Sequence, residues 1–250
     1  MMELQDRVIL ITGAGSGLGA ATAIVCAKEG AAVFLVDRDA GGMAETQASI
    51  ADLGGRSASH VADLSQRSAC LGAVAAAIDH FGRLDGLCNV AGITLFHQVC
   101  DVTEEEWNLT LAIILSAPFH LSQAAIPELI RNKGSIVNIA SSGGIKGTAY
   151  TVPYSAAKAG VIHMTKCMAM EFINEPIRIN AVAPGGMVTN IARNMKLTEG
   201  MNPDLIRRFT GIRPPVDPAE VANVMTFLLS DKASNIHGSI VSVDGGVTAD

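Results

Sequence analysis

The chain has 250 residues, of which 49% are hydrophobic and 17% are charged, and its formal net charge is −6. A chain of this length can bury a large core, and its negative charge gives no reason to expect nucleic acid or an anionic membrane as a partner. The apolar run VILITGAG near the start is too short to cross a bilayer, so neither export nor membrane insertion is expected. The five cysteines show no CxxC spacing, which is typical of reduced thiols in a cytoplasmic protein.

Short apolar runs alternate along the chain with segments of helix-forming residues. Seven of these runs end in Gly, Asp or Ser, and several are apolar almost throughout, as expected of strands that are covered on both faces of a sheet. The alternation predicts an α/β fold with a seven-stranded, parallel, doubly wound sheet. We find no break in composition and expect a single domain over residues 1–250. The predicted strands cover residues 7–13, 31–37, 57–63, 84–92, 134–141, 177–185 and 239–246.

The first predicted strand ends in TGAGSGLGAATA, which turns into a helix near Ser16. Gly13, Gly17 and Gly19 let the backbone turn sharply and approach a ligand closely. The helix directs free N–H groups and its positive end at the turn, which suits a pyrophosphate. A glycine-rich turn alone can be purely structural, but the preceding strand and the acid that closes the next strand favour dinucleotide binding.

That acid is Asp37, which stands 24 residues after Gly13. In dinucleotide-binding folds, a carboxylate about 20 residues beyond the glycine turn binds the adenosine ribose hydroxyls. The same carboxylate would repel the 2′-phosphate of NADP, so Asp37 favours NAD. Arg38 follows directly and could pair with that phosphate, which leaves NADP as an alternative.

Two later helices carry recognisable signals. The segment TEEE predicts a helix start, because Thr103 and Glu106 have the spacing of a capping box. The segment YSAAK places Tyr154 and Lys158 four residues apart on one helix face. A lysine one turn away, together with the positive nicotinamide ring of NAD, favours the phenolate and lowers the tyrosine pKa from about 10 towards values useful for acid–base catalysis. The alternative is an exposed pair worth about 0.3 kcal/mol.

Five motifs then stand in the order found in the short-chain dehydrogenase/reductase family. They are TGAGSGLG (12–19), NVAG (89–92), a serine 13 residues before the tyrosine of YSAAK (141–158), NAVAPG (180–185) and VDGG (243–246). The chain resembles this family from about residue 5 to residue 247. The resemblance implies a single Rossmann domain, a homotetramer as in many members, and hydride transfer between NAD(H) and a secondary alcohol or ketone. It also implies that Ser141 binds the substrate oxygen, that Tyr154 exchanges a proton with it, and that Lys158 binds the nicotinamide ribose.

The resemblance further implies a set of dinucleotide contacts. Ser16 stands where many NADP-using members have arginine, in agreement with Asp37. The histidines have no cysteine or carboxylate at metal-ligand spacing, so no metal is expected. The expected cofactor contacts come from the glycine turn, the ends of the next three strands, the catalytic helix and the segment after the sixth strand: Gly13, Ser16, Gly17, Leu18, Gly19, Asp37, Arg38, Asp63, Leu64, Asn89, Ala91, Gly92, Tyr154, Lys158, Pro184, Gly185, Met187, Val188 and Thr189.

One position departs from the family pattern. Members usually have an asparagine seven residues after the tryptophan of the fourth helix, where it supports a water chain that relays protons from the lysine. Here that position is Ile114. Two hypotheses stay open: the relay runs through the helix main chain and water with little loss, or the enzyme is slowed and acts as a weakly catalytic dinucleotide-binding protein.

Residues 188–215 break the alternation and carry apolar side chains among helix breakers, which predicts a lid over the substrate. The methionines of this segment suggest an adaptable apolar cover, and hence a hydrophobic or cyclic alcohol or ketone. Thr94, Phe96, His97 and Tyr150 are further candidates for the pocket. An NADPH-dependent carbonyl or 3-oxoacyl reductase is the alternative activity.

Overall fold

The computed structural model describes residues 2–188, 200–207 and 213–249. Its centre is a sheet of seven strands in the order β3-β2-β1-β4-β5-β6-β7, and every neighbouring pair is parallel. This confirms the predicted doubly wound Rossmann sheet. The strands are β1 (Val8–Thr12), β2 (Ala32–Asp37), β3 (Arg56–Val61), β4 (Gly86–Asn89), β5 (Ser135–Ile139), β6 (Arg178–Pro184) and β7 (Ile240–Val243).

Helices cover both faces of the sheet. A π-helical turn, Ala112–Ser116, joins the fourth helix to the fifth without a break, and the predicted capping box of Thr103 and Glu106 is present at the start of the fourth. Three short 3₁₀ turns follow β4, β5 and the last helix, at Val99–Asp101, Ser142–Gly144 and Asp231–Ala233. The helices are α1 (Gly17–Lys28), α2 (Ala40–Asp52), α3 (Arg67–Phe81), α4 (Glu104–Leu111), α5 (Ala117–Arg131), α6 (Val152–Glu171), α7 (Pro203–Arg207) and α8 (Pro218–Leu229).

The sheet separates two apolar layers. Ile9 and Ile11 of β1 pack in the layer that contains residues of α1, α2 and α8. Val8 and Leu10 pack in the opposite layer with residues of α3, α5 and α6. Because successive side chains of a strand point to opposite faces and both faces are covered, the strand reads as a continuous apolar run.

The carboxyl ends of β1 and β4 differ from the sequence prediction. β4 ends three residues earlier than predicted, because the N–H groups of Val90 and Ala91 donate to Thr12 Oγ1 at 2.9 and 3.1 Å and not to a neighbouring strand. The chain therefore leaves the sheet beside the glycine turn. β1 has β2 on one side and β4 on the other, so the connections run outwards in opposite directions and open a crevice at this edge.

Within the described residues, the helical run Glu104–Arg131 is long and apolar enough to cross a membrane by length and composition. Core helices of globular proteins pass the same test. In the most apolar stretch of 18 residues in this run, 44% is buried inside the protein. Leu121, Ala125 and Leu129 lie in the core below the sheet. The run is therefore a covering helix of the fold.

Candidate active site

The turn between β1 and α1 needs glycine where the φ angle is positive and where another part of the backbone comes very close. Gly13 and Gly17 have φ angles of +68° and +54°, which side chains rarely tolerate. A Cβ atom on Gly13 would lie 2.9 Å from the Cα of Ala91, and one on Gly19 would lie 2.0 Å from the carbonyl oxygen of Gly13. The turn thus brings β1, α1 and the chain after β4 into direct contact. Gly92 follows this contact and lies at the same edge.

The amino terminus of α1 is open to an anion. Ser16 occupies the N-cap position, but its hydroxyl makes no capping hydrogen bond, and the first turn of α1 has no acidic side chain. Leu18 is buried in the core, so a ligand at the turn would meet its backbone and not its side chain. Free N–H groups with no competing carboxylate fit the pyrophosphate of a dinucleotide.

Asp37 lies at the end of β2, directly beside the glycine turn. Its Oδ2 accepts a hydrogen bond from the Gly15 N–H at 2.9 Å, and its Oδ1 accepts one from the Asp39 N–H at 3.0 Å. The carboxylate is therefore fixed by backbone donors on two sides. Carboxylate oxygens have further lone pairs, which remain suited to ribose hydroxyls.

Two charges lie near the adenosine end of the crevice. Hydrogen bonds from Ser65 are the main cause that lowers the pKa of Asp63, and the charge of Arg38 adds a smaller effect in the same direction. Arg38 is thus close enough to Asp63 for an electrostatic attraction. Asp63 is exposed, whereas Leu64 beside it is buried, so Asp63 can reach a ligand and Leu64 holds its strand end in place.

Asn89 at the end of β4 points into the protein interior. Its Nδ2 donates to Asn138 Oδ1 at 2.8 Å and to Ser122 Oγ at 3.3 Å, and Asn138 in turn donates to Thr165 Oγ1 at 3.0 Å. Asn89 Oδ1 is buried and has no hydrogen-bond partner among the described residues. The network ties β4 to β5, α5 and α6. Sequence reasoning missed Asn138 and Thr165, whose only signal is a polar residue within an apolar strand or helix.

The segment after β6 forms the other end of the crevice. Pro184 ends β6, and the N–H of Val188 donates to the Val216 carbonyl at 3.2 Å, beside an isolated bridge between Met187 and Val216. A Cβ on Gly185 would lie 2.9 Å from the Cα of Asp244, so glycine permits the close approach of the chain after β7. Thr189, predicted to contact the nicotinamide, lies outside the described residues, as does much of the predicted lid.

The three predicted catalytic side chains come together at the carboxyl edge of β5. Ser141 lies close enough to Tyr154 to act on the pKa of the phenol. The Lys158 Nζ lies 5.8 Å from the centre of the Tyr154 ring and donates to the carbonyl of Ile139 at 2.6 Å. Ser141 Oγ also accepts from the Gly143 N–H at 3.1 Å. Ser141 and Lys158 are only 6% and 4% exposed. Lys158 is thus buried and Tyr154 is partly buried, so the alternative of an exposed surface pair is wrong.

Burial dominates the titration of this pair. It raises the pKa of Tyr154, and the Ser141 side chain opposes that rise. Burial also lowers the pKa of Lys158 from 10.5 to about 7. Burial disfavours the charged form of both groups. That Lys158 and the nicotinamide ring of NAD together lower the Tyr154 pKa stays a prediction. Lys158 is near the midpoint of its titration at neutral pH.

Ile114 lies in the π-helical turn between α4 and α5. Its side chain is 1% exposed and packs with Ala157 and Val161 of α6, in an apolar cluster that Tyr154 also contacts. The π-helical turn, in which the N–H of Ala117 donates to the Ala112 carbonyl, is thus present without an asparagine. Such turns shift main-chain carbonyls out of the regular ladder and are frequent at functional sites.

A crevice that fits a dinucleotide and ends at a serine, a tyrosine and a lysine indicates a Rossmann-fold oxidoreductase acting on alcohols or carbonyls. Residues 13–248 match the family model described as enoyl-(acyl carrier protein) reductase. The short-chain dehydrogenase/reductase cdmF of Talaromyces verruculosus is 40% identical, with 96% of each chain covered. The chain belongs to the short-chain dehydrogenase/reductase family, whose members bind a nicotinamide dinucleotide and act on CH–OH groups.

Two solved structures superpose on nearly the whole chain. Levodione reductase has a TM-score of 0.91 at 36% identity, with 98% of this chain and 99% of that chain covered. Carveol dehydrogenase from Mycobacterium avium, in complex with NAD, has a TM-score of 0.91 at 27% identity, with both chains covered completely. These relatives confirm the family that the five motifs indicated and the fold that the strand pattern predicted.

The pH dependence of stability tests the burial of Lys158. Because its pKa falls from 10.5 to about 7 on folding, the unfolded chain binds more protons between these two pH values. The contribution of Lys158 to the free energy of unfolding therefore rises with pH across that window. We expect Lys158→Met to be stabilised relative to the parent below about pH 7, and this advantage to shrink as the pH rises, when both are unfolded by urea.

Lys166→Met, at an exposed position of the same helix, is the matched control. Its free energy of unfolding should differ from that of the parent by the same amount at every pH. A Lys158→Met advantage that is constant from about pH 7 to about pH 10 would mean that the lysine keeps an ordinary pKa in the folded protein.

Replacing Ile114 tests the two hypotheses about the proton relay. Because the site is apolar and closed, Ile114→Asn buries an amide without a partner and should lower the free energy of unfolding by about 2–4 kcal/mol. We expect turnover to stay within about twofold, since the π-helical turn and the predicted catalytic side chains are in place. Ile114→Val, which should cost about 1 kcal/mol, controls for lost packing. A large gain in turnover would instead favour an impaired relay.

Proposed function

We propose that this protein is an NAD(H)-dependent dehydrogenase or ketone reductase that transfers a hydride to or from a secondary alcohol carbon. The observation that carries this proposal is that Ser141, Tyr154 and Lys158 come together at the carboxyl edge of β5, with the Lys158 Nζ 5.8 Å from the centre of the tyrosine ring. These groups have the chemistry needed to bind one oxygen atom and to move its proton. Their position at the carboxyl edge of the sheet is where ligands bind in open α/β folds.

Each side chain has a separate part in the proposed reaction. Ser141 binds the substrate oxygen and is itself oriented by the Gly143 N–H. Tyr154 accepts the hydroxyl proton when the alcohol is oxidised and returns it when the ketone is reduced. Lys158, held by the carbonyl of Ile139, binds the nicotinamide ribose and supplies a proton donor beside the tyrosine. Bound NAD would supply the hydride acceptor and a positive charge that favours the phenolate.

The preference for NAD rests on Asp37 and Arg38. The Asp37 carboxylate is fixed beside the glycine turn by the Gly15 N–H, so a 2′-phosphate would meet a negative charge that cannot move away. Arg38 interacts with Asp63, which offsets its attraction for a phosphate. The complex of carveol dehydrogenase with NAD supports the same cofactor. The proposed contacts are those expected from the sequence, from Gly13 to Thr189.

The proposed substrate is a hydrophobic or cyclic alcohol or ketone. Levodione reductase and carveol dehydrogenase, which superpose on the chain, act on such compounds. We also propose that residues 188–215 form the lid. An NADPH-dependent carbonyl or 3-oxoacyl reductase is the second candidate, because the 3-oxoacyl-[acyl-carrier-protein] reductase FabG of Thermotoga maritima is 36% identical to the chain. A weakly catalytic dinucleotide-binding protein is the third, and its motivation is Ile114.

We further propose a homotetramer that works in the cytoplasm. Large apolar side chains remain on the outer face of α4 and α5, where Trp107, Leu109 and Phe119 are 38%, 44% and 44% exposed. Exposed apolar patches often mark protein–protein contacts, and these side chains are candidates for one. The five cysteines are all free, and three are buried, in agreement with a reducing compartment.

Removing the Tyr154 hydroxyl tests the reaction. Hydroxysteroids, cyclic alcohols, small diols and their ketones are offered with NAD, NADH, NADP and NADPH. For the best pair, we expect Tyr154→Phe to lower turnover by about 10²–10⁴-fold, because the acid–base group is lost. NADH affinity, measured by fluorescence, should change little. A Tyr154→Phe variant that folds, binds the dinucleotide and turns over like the parent would refute the mechanism.

A charge-neutral variant tests the cofactor preference. Asp37→Asn keeps the size of the side chain and a carbonyl acceptor but removes the negative charge. We expect the ratio of NADP to NAD affinity to rise at least about tenfold, since a nearby charge commonly contributes more than about 1.4 kcal/mol. Asp52→Asn, at an exposed position on α2, controls for the net charge. A parent that binds NADP as tightly as NAD would contradict the proposed preference.

A further inference from the structure

Tyr150 adopts a backbone conformation that is unusual for a large side chain. Its φ angle is +67°, in the left-handed region that favours glycine. It stands immediately before Thr151, the N-cap of α6, and four residues before Tyr154. Strained residues persist only where surrounding contacts hold them, and they cluster at functional sites. The contacts of Tyr150 therefore indicate what the strain maintains.

Tyr150 joins three segments that leave the carboxyl edge of the sheet. Its hydroxyl oxygen accepts a hydrogen bond from the Asn202 N–H at 2.8 Å. Its carbonyl oxygen accepts one from the His97 N–H at 3.0 Å. His97 follows β4, Tyr150 follows β5 and Asn202 follows β6. One residue thus connects the loops after three neighbouring strands.

Both partners of Tyr150 are themselves anchored. His97 Nε2 lies 3.2 Å from Glu106 Oε1, while Glu106 Oε2 accepts from the Thr103 N–H in the capping box of α4. Asn202 Oδ1 accepts from the Asp204 N–H at 2.9 Å, at the start of α7. Tyr150 therefore connects the start of α4, the start of α6 and the start of α7.

The loops after β4 and β6 also meet beside Tyr150. A Cβ atom on Gly200 would lie 3.1 Å from Gln98 Nε2, and Gly200 has a φ of +86°. Residues 200–202 thus cross the end of the loop that contains His97. The segment thus passes close to Gln98 at Gly200 and is held by the hydrogen bond from Asn202 to Tyr150.

We infer that Tyr150 is a positioning residue, whose hydroxyl holds residues 200–202 against the loops after β4 and β5, at the edge of the sheet proposed to bind the substrate. This inference rests on the proposed function, because it takes the carboxyl edge as the substrate site. The hydroxyl of Tyr150 accepts from a backbone N–H and is not needed for proton transfer by Tyr154. Loss of the Tyr150 hydroxyl therefore weakens substrate binding, but the bound substrate still reacts at a similar rate.

Hydrogen exchange tests the contact independently of any activity. Tyr150→Phe keeps the ring and removes only the acceptor of the Asn202 N–H. We expect the amides around residue 202 to exchange faster in Tyr150→Phe, while those of β5 and α6 exchange as in the parent. Unchanged exchange around residue 202 would overturn the inference, whatever the kinetics show.

Kinetics test the positioning role. We expect Tyr150→Phe to raise the KM of the best substrate about three- to tenfold, the effect of one lost hydrogen bond, with kcat within about twofold and an unchanged midpoint of urea unfolding. Asn202→Pro, which removes the N–H donor, should match it. Asn202→Ala loses the cap of α7, as the proline variant does, but it keeps the N–H. Its KM should therefore stay close to that of the parent.

The double variant Tyr150→Phe/Asn202→Pro should raise KM no more than either single variant does, because both substitutions remove the same contact. Faster exchange around residue 202 with an unchanged KM would overturn the positioning role. A parent protein without turnover on any alcohol or ketone would instead refute the proposed function, and the positioning role with it.

Discussion

The hydrogen bond from the Lys158 amine to the carbonyl of Ile139 is the contact on which the site depends. Ile139 is the last residue of β5, and Lys158 lies on α6, one turn after Tyr154. This contact fixes the catalytic helix relative to the sheet, and the sheet fixes the glycine turn two strands away. A parallel sheet gathers the ends of its strands at one edge, so residues far apart in sequence meet there.

Burial makes this contact rigid but also makes it costly for charged groups. The side chain of Ile114 closes the space beside α6 with apolar atoms, and burial shifts the pKa values of Tyr154 and Lys158 in opposite directions. The Tyr154 phenol therefore holds its proton more tightly than in water, and the Lys158 amine holds its proton less tightly. A charge on a ligand beside these two groups would change which protonation state is favoured.

The loops above this edge are held by a second set of contacts. Thr12 binds the chain after β4, and the strained Tyr150 binds the loops after β4 and β6. The rigid sheet carries the groups proposed for chemistry, whereas the loops carry those proposed for substrate recognition. This division is common in enzymes, because strand ends are fixed and loops can vary.

The sequence by itself determined the fold class, the seven strands, the capping box of α4 and the three side chains that meet at the end of β5. These features depend on local patterns: apolar runs, glycine spacing, and two residues four positions apart on a helix. Strand ends were predicted less well, since the hydroxyl of Thr12 takes the N–H groups that would have extended β4. That interaction joins residues 78 and 79 positions apart, and no local pattern indicates it.

Only the tertiary structure decided the electrostatics of the site and the direction of several side chains. The spacing of Tyr154 and Lys158 indicates that they are neighbours, but their pKa values depend on the burial that distant helices provide. Asn89 lies at the predicted strand end, but its amide points into the interior because Asn138 and Ser122 are there to receive it. Local sequence sets which groups are near each other along the chain, whereas solvent exclusion depends on elements that the chain brings together only on folding.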